Sequence, residues 1–240
     1  MARLVITVEG HSEEAFVTQL LLPHLAERGI YCFASRVEFS RNKGEIHRGG
    51  LLDWDKADGD IRRWLKTHKT DDVRFTTMFD LYALPDNAPG RSCAATQVDP
   101  FAKVHCLEAA ISESICDRRF LPYIQLHEFE ALVLAGAARL ADFYPQHRSE
   151  AQRLAEMVNT FKTPEHINEG RETAPSKRII REIPKYEGGK RVVSPMVLER
   201  IGLETLRQAC PHFGAWLTCL ESIGTPSQEK WPTLVSMPES

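Results

Sequence analysis

VEGHSEEAF, Val8 to Phe16, is the stretch whose reading decides the fold of this chain. Ahead of it Leu4, Val5, Ile6 and Val8 form an apolar, β-branched run of the kind buried as a strand on both faces, and Glu9-Gly10 breaks the run. Ser12 then predicts a helix N-cap, with Phe16, Val17, Leu20, Leu21 and Leu25 facing a core, Pro23 kinking the helix and Gly29 just past its end. Glu13 and Glu14 suit the positive end of that helix. Glu9 has no such explanation. A strand end beside an apolar core gains nothing from a charge, whereas in an open parallel sheet ligands gather outside the carboxyl ends of the strands. Gly10 lets the chain turn tightly beside it.

The same unit recurs downstream. Ile30 to Phe39 predicts a second strand, followed by the loop RNKGEIHRGG and an amphipathic helix from Leu51 to His68, interrupted near Gly59. Val73 to Phe79 predicts a third strand that ends in Asp80. A loop with two prolines follows (LPDNAPGRSC, 84–93), then a helix capped by Asp99 with Pro100 at its first position, running to about Cys116. Phe120 to Leu126 predicts a fourth strand, and His127-Glu128-Phe129-Glu130 opens another helix at once. Alternating strands and crossover helices of this length predict an α/β fold, a Rossmann-like, mostly parallel sheet of about four strands with flanking helices.

Composition is that of an ordinary globular protein: 240 residues, 42% hydrophobic and 26% charged, with a net charge of −3. Any nucleic-acid surface must therefore be a local basic patch rather than a global field. The six cysteines show no C-x-x-C pair, and no signal peptide or long apolar segment is present. These features predict a reduced, cytoplasmic protein without membrane contact. The histidines make no zinc-binding pattern.

In a parallel sheet, acids that follow three separate strands share one edge, so Glu9, Asp80 and Glu128 or Glu130 are expected to converge. Crowded carboxylates repel and shift toward protonation unless a cation is bound, and hard oxygen donors suit Mg²⁺ or Mn²⁺. That is the equipment of metal-assisted phosphoryl chemistry. Residues two apart on a helix face different ways, so Glu128 and Glu130 are not both expected as ligands. The competing reading makes these acids helix-start and surface charges.

VEGHSEEAF, TTMFDLYALP and PYIQLHEFEAL, with NEG and APSKR further on, resemble a Toprim-like bacterial family of unknown function related to the Toprim nucleases of the OLD family. The resemblance covers most of the chain. It implies a Toprim-like domain in which Glu9 is the first-strand glutamate, acting as general acid or base or as a metal ligand, and Asp80 the first aspartate of an Asp-x-Asp pair holding Mg²⁺. The second aspartate is replaced by Tyr82, which leaves Glu130 to complete the set, with Asp86 a poorer substitute. The resemblance further implies a partner ATPase in an anti-phage defence type of system, and no P-loop occurs in this chain.

Beyond Gly136 the pattern turns helical and more polar. Arg148 to Phe161 predicts one helix, and APSKR launches a short one with Lys177 and Arg181 on one face and Ile179, Ile180 and Ile183 on another. Lys177, with Gly10, Arg178 and Arg181, is the candidate substrate-binding set, since a positioned lysine can stabilise charge on a scissile phosphate; a solvated basic face is the alternative. Lys185, Lys190 and Arg191 extend the basic character. Ser194-Pro195 predicts the cap of a helix ending at Gly202, and Phe213, Trp216, Leu217 and Leu220 fall at core spacing on a later one. The predicted organisation is a Toprim-like domain over 1–136, a helical subdomain over 137–224 and a disordered tail over 225–240. The predicted activity is a Mg- or Mn-dependent phosphodiesterase acting on DNA or RNA; the alternative is a catalytically silent module that binds an ATPase or a phosphorylated ligand.

Overall fold

The computed structural model describes residues 2–37, 53–168 and 170–223, the Arg171 side chain excepted. The loop read over 41–50, the helix start at Leu51 and Leu52, Glu169 of the NEG stretch and the 225–240 tail lie outside those residues.

β1 (Ala2–Val8) is the centre of the sheet because its apolar residues point both ways. Leu4, Ile6 and Val8 pack with Met78 into one core, and Val5 packs with Val73, Phe75 and Phe79 into another on the opposite face. β2 (Ile30–Arg36) and β3 (Val73–Asp80) flank β1 in parallel, and β4 (Phe120–Leu121) and β5 (Ile124–Gln125) pair in parallel with β3. The sheet therefore runs β2-β1-β3-β4, with β5 continuing along β3. The α/β class and parallel sheet read from the sequence are the observed ones, with five strands for the four expected.

The extra strand has a local cause. Phe75 pairs with Phe120 and Asp80 with Gln125 at one unbroken register, so β4 and β5 are one strand interrupted at Pro122. Proline has no amide to give to the ladder. The Thr77 hydroxyl bridges the gap, accepting from the Tyr123 amide at 2.9 Å and donating to the Tyr123 carbonyl at 3.0 Å.

Several predicted helix details are corrected. Helix α1 (His11–Phe16) is capped by Gly10, without a side-chain bond, so Ser12 lies within the first turn and is not the cap. The chain continues through a π-helical turn (Val17–Leu21) into α2 (Leu22–Ala26), and this wider turn precedes Pro23, where a kink was expected. Helix α3 (Trp54–Thr67) starts from the Asp53 side chain and runs unbroken through Gly59. After α4 (Arg91–Thr96), α5 (Pro100–Ile115) has the expected Asp99 cap, whose Oδ2 accepts from the Ala102 amide at 2.8 Å. Cys93 and Cys106 are joined in a disulfide, which corrects the fully reduced reading at one pair: the two lie in neighbouring helices whose packing no spacing rule encodes.

Past α6 (Glu130–Ala135) the chain is helical: α7 (Arg148–Val158), α8 (Pro175–Glu182), α9 (Tyr186–Ala209) and α10 (Pro211–Glu221). Helix α9 already begins at Tyr186, so Ser194 is no cap. Its Oγ bonds the Lys190 carbonyl and the Tyr186 hydroxyl inside the helix, and at Gly202 (φ 77°), where the helix was expected to end, the chain kinks and stays helical to Ala209. These helices share the core of Leu4, Ile6 and Val8. Trp216 stacks on Tyr123 at 4.3 Å and donates to Thr76 Oγ1 at 2.9 Å, while Glu165 accepts from the His212 and Phe213 amides that open α10. No helix among the described residues is long and apolar enough to cross a membrane.

Candidate functional site

Parallel pairing brings the ends of β1 and β3 side by side, and with them the two carboxylates that follow from the sequence pattern. Glu9 directly follows β1, Asp80 is the last residue of β3, and Glu9 Oε2 accepts from the Asp80 amide at 3.4 Å. Glu130, the first residue of α6, approaches from the chain just past β5 and is buried. The structure adds a fourth acid. Glu13 is buried on the first turn of α1, and a Cβ on Gly10 would lie only 2.9 Å from its Oε2. Gly10 has an extended φ of −139° that any residue adopts, so the glycine supplies room for this carboxylate and not the tight turn expected of it.

Burial raises the pKa of every one of these acids, because an ion loses hydration there. Glu9 is pushed up to about 8 by burial and then by the charge of Glu13. Asp80 stands well above the carboxylate range through burial and the charges of Glu9, Glu13, Glu130 and Glu128. Burial also raises Glu13, and it lifts Glu130 to about 7 against the opposing pull of Lys190. The Nζ of Lys190, on α9, lies 3.5 Å from Glu130 Oε1, and Glu130 holds this ammonium protonated more firmly than usual.

The remaining predicted site residues have other neighbours. Glu128 Oε2 accepts from the Ser176 amide at 2.8 Å, so its charge sits at the N-terminus of α8 and not of its own helix. Lys177 and Arg181 are exposed on α8. Arg178 is buried, its Nε donating to the Thr173 carbonyl at 2.8 Å and its guanidinium lying 5.4 Å over the Phe161 ring. Its planar group holds the turn before α8 to α7's end. His11 turns to Glu14 and Arg36 at the surface. Asp86 is exposed in the loop after β3.

Tyr82, in the place of the expected second aspartate, donates its amide to the His127 carbonyl at 3.0 Å and sets its ring 5.6 Å from the imidazole. Burial and the charge of Glu128 push its phenol up to about 12, so it stays neutral. His127 has a left-handed φ of 62° and is buried; burial pulls its pKa down to about 4, although the Glu165 backbone acts in the opposite sense. Neither ring nitrogen meets a partner with hydrogen-bond geometry among the described residues.

Sequence reading missed Glu13 and Lys190. Glu13 was explained by the helix dipole, which accounts for its place in the sequence without any role at the site. For Lys190 the signal was the Gly188-Gly189 pair inside a helix: glycines there usually have a packing reason. At Gly189 a Cβ would lie 2.5 Å from the Tyr144 hydroxyl.

The donor set is all carboxylate oxygen, which fits Mg²⁺ or Mn²⁺ in kind. In position it is not closed. Among the described residues no three His, Cys, Asp or Glu side chains are gathered as a group that could hold a metal ion.

The profile of a family described as a domain of unknown function (DUF4276) matches residues 8–221, from the end of β1 to the end of α10. The chain belongs to the DUF4276 family. The matched range includes Glu9, Glu13, Asp80, Glu130 and Lys190. Comparison with curated proteins and with solved structures gives no match.

Proposed function

We propose that this DUF4276 protein is a Mg²⁺- or Mn²⁺-dependent phosphodiesterase acting on nucleic acid, with Glu9, Asp80 and Glu130 as the residues that would hold the cation. The observation that carries this reading is that buried acids follow three separate strands at one edge of a parallel sheet, where burial makes their negative charge costly. A bound divalent cation would polarise a phosphodiester and ease deprotonation of an attacking water. Such a cation would also hold Glu9 ionised, and its carboxylate oxygen is suited to take that proton. Lys177 and Arg181, exposed on α8, are suited to position phosphates, while Arg178 is placed to support the helix that carries them. The ATPase partner and the Toprim relationship rest on the resemblance of VEGHSEEAF, TTMFDLYALP and PYIQLHEFEAL alone.

The second reading, a silent module that binds an ATPase or a phosphorylated ligand, is favoured by Tyr82 and by the helix-capping role of Glu128. Metal-dependent cleavage of supercoiled DNA, single-stranded DNA and RNA by wild type, Glu9→Gln and Asp80→Asn separates the two. The enzyme reading expects cleavage with Mn²⁺ or Mg²⁺, reduced at least about a hundredfold by either substitution. Wild type that cleaves none of the three substrates, and whose melting temperature ignores millimolar Mn²⁺, would leave the silent module standing.

A further inference from the structure

His127 carries two separate costs. Its φ of 62° lies in the left-handed region, where a Cβ crowds the following carbonyl. The residue is only 5% exposed, yet neither ring nitrogen has a hydrogen-bond partner among the described residues; the Glu165 backbone lies near without the geometry of a bond. A glycine would remove the first cost and an apolar side chain the second. Packing alone gives no reason for a histidine here, whereas strained backbone and bare buried polar groups gather where a ligand is met.

The imidazole also has a movable neighbour. The Tyr82 amide is tied to the His127 carbonyl at 3.0 Å, but Tyr82 is 42% exposed and its ring lies tilted, 5.6 Å from the imidazole. Exposed side chains change rotamer within nanoseconds, so the phenol can turn aside and uncover the imidazole with the backbone still held. Both residues stand at the carboxyl edge of the sheet, Tyr82 two residues past the end of β3 and His127 two residues past the end of β5. Burial keeps the imidazole neutral at pH 7, so it presents one N–H and one lone pair. Phosphate oxygens only accept and are repelled by that lone pair, whereas the edge of a nucleobase offers donors and acceptors together. The phenol supplies a face on which any base can stack.

We propose that Tyr82 and His127 form a nucleobase subsite, in which the Tyr82 ring stacks on one unpaired base of a single strand and the His127 imidazole hydrogen-bonds to the edge of that base. The inference rests on the nucleic-acid part of the proposed function and on none of its metal chemistry.

Fluorescence anisotropy of the full chain in EDTA tests this with cleavage switched off. The probes are labelled single strands of about 12 nucleotides: oligo-dT, oligo-dA and an abasic strand that keeps every phosphate. Wild type should bind the preferred base-bearing strand at least about tenfold more tightly than the abasic one. Tyr82→Ala should cut that ratio at least about fivefold, while Tyr82→Phe, which keeps the stacking face, should stay within about twofold of wild type. His127→Gly, which suits left-handed backbone, should abolish the preference between dT and dA and leave affinity for the abasic strand within about twofold. If His127→Gly does not fold, His127→Asn, which tolerates the same backbone and lacks the ring, takes its place. Tyr31→Ala, at another exposed tyrosine, should change nothing. A wild type that binds all three strands equally, or a ratio that survives Tyr82→Ala or falls as far in Tyr31→Ala, overturns the subsite and leaves the nucleic-acid reading in place. Equal wild-type affinity for dT and dA, or a preference that survives the His127 variants, overturns the role of His127. Wild type that binds none of the strands overturns the nucleic-acid reading as well. Absence of cleavage with Mn²⁺, beside base-dependent binding in EDTA, would count against the catalytic reading alone.

Discussion

Glu9 has its pKa raised to about 8, first by burial and then by the charge of Glu13, and this makes its contribution to stability depend on pH in a defined direction. A carboxyl raised from 4.5 to about 8 binds its proton more tightly in the folded than in the unfolded chain. Its stabilising contribution is full below the unfolded value near 4.5 and is lost as pH rises through about 8. Glu130, raised to about 7, acts in the same sense. His127, lowered to about 4, acts oppositely, losing stability as pH falls below 6.5, so the window above 6.5 isolates the acids from it. His212 is not so easily separated: burial works to lower its pKa, but Glu108 and Glu165 raise it overall, and it too loses stability as pH rises. The diagnostic quantity is therefore a difference between variants. Glu9→Gln keeps an oxygen for the Asp80 amide and removes the charge. At pH 8 without metal it should melt about 3–5 °C above wild type, and this advantage should shrink as pH falls toward 6.5. Thermal melts of both proteins across that range check it, and an equal pH dependence in the two would show that Glu9 titrates normally.

At the scale of the element, α9 carries Lys190 to the site through a glycine that makes room for Tyr144. The Tyr144 hydroxyl is buried and finds no hydrogen-bond partner among the described residues, and it lies 2.5 Å from where a Gly189 side chain would begin. Removing an unsatisfied hydroxyl is favourable, so Tyr144→Phe should be neutral or stabilise by about 1 kcal/mol. Gly189→Ala gains roughly 1 kcal/mol of helix propensity but meets that hydroxyl, and should be net destabilising by about 1–2 kcal/mol. Combined with Tyr144→Phe, the same change should become neutral or favourable. Denaturant melts of the two single variants and the double variant measure the coupling; additive effects would mean that the hydroxyl is not what Gly189 accommodates. The glycines signalled a packed stretch, but what Lys190 meets there was not legible, because it depends on α9 packing against α1 and α6, a contact between segments far apart in the chain.

For the whole molecule the decisive fact is that sheet and C-terminal helices share one core, in which Leu4, Ile6 and Val8 are buried together with Phe213, Trp216 and Leu217. Trp216→Ala removes a fully buried indole, its stack on Tyr123 and its bond to Thr76, at a cost of about 3–5 kcal/mol. It should lower the melting temperature by about 6–20 °C. Far-UV and near-UV signals should still fall together, because the strand face and the helices lose packing at once. Two separated transitions would show that the helical part unfolds on its own. Truncation after Gly136 should leave a chain with secondary structure but no fixed aromatic environment, visible as loss of near-UV ellipticity.

The sequence alone determined the class of the fold and placed Glu9, Asp80 and the Glu128–Glu130 pair after strands that share one edge of the sheet. Both follow from local pattern: an apolar run such as Leu4 to Val8 must be covered on both faces, strand and helix alternate, and an acid at the end of such a strand lies at the sheet's carboxyl edge wherever the partners come from. The capped helix from Asp99 and the core spacing of Phe213, Trp216 and Leu217 were legible for the same reason. Only the tertiary structure decided which charges answer those acids. Glu13 joins them because Gly10 leaves it space, Glu128 is turned to the Ser176 amide of α8, and Lys190, rather than Lys177, meets Glu130. The Cys93–Cys106 bridge and the split of one strand by Pro122 likewise depend on which elements pack together. Periodicity encodes which face of an element is buried; the identity of what lies against that face is set by the packing of the entire chain.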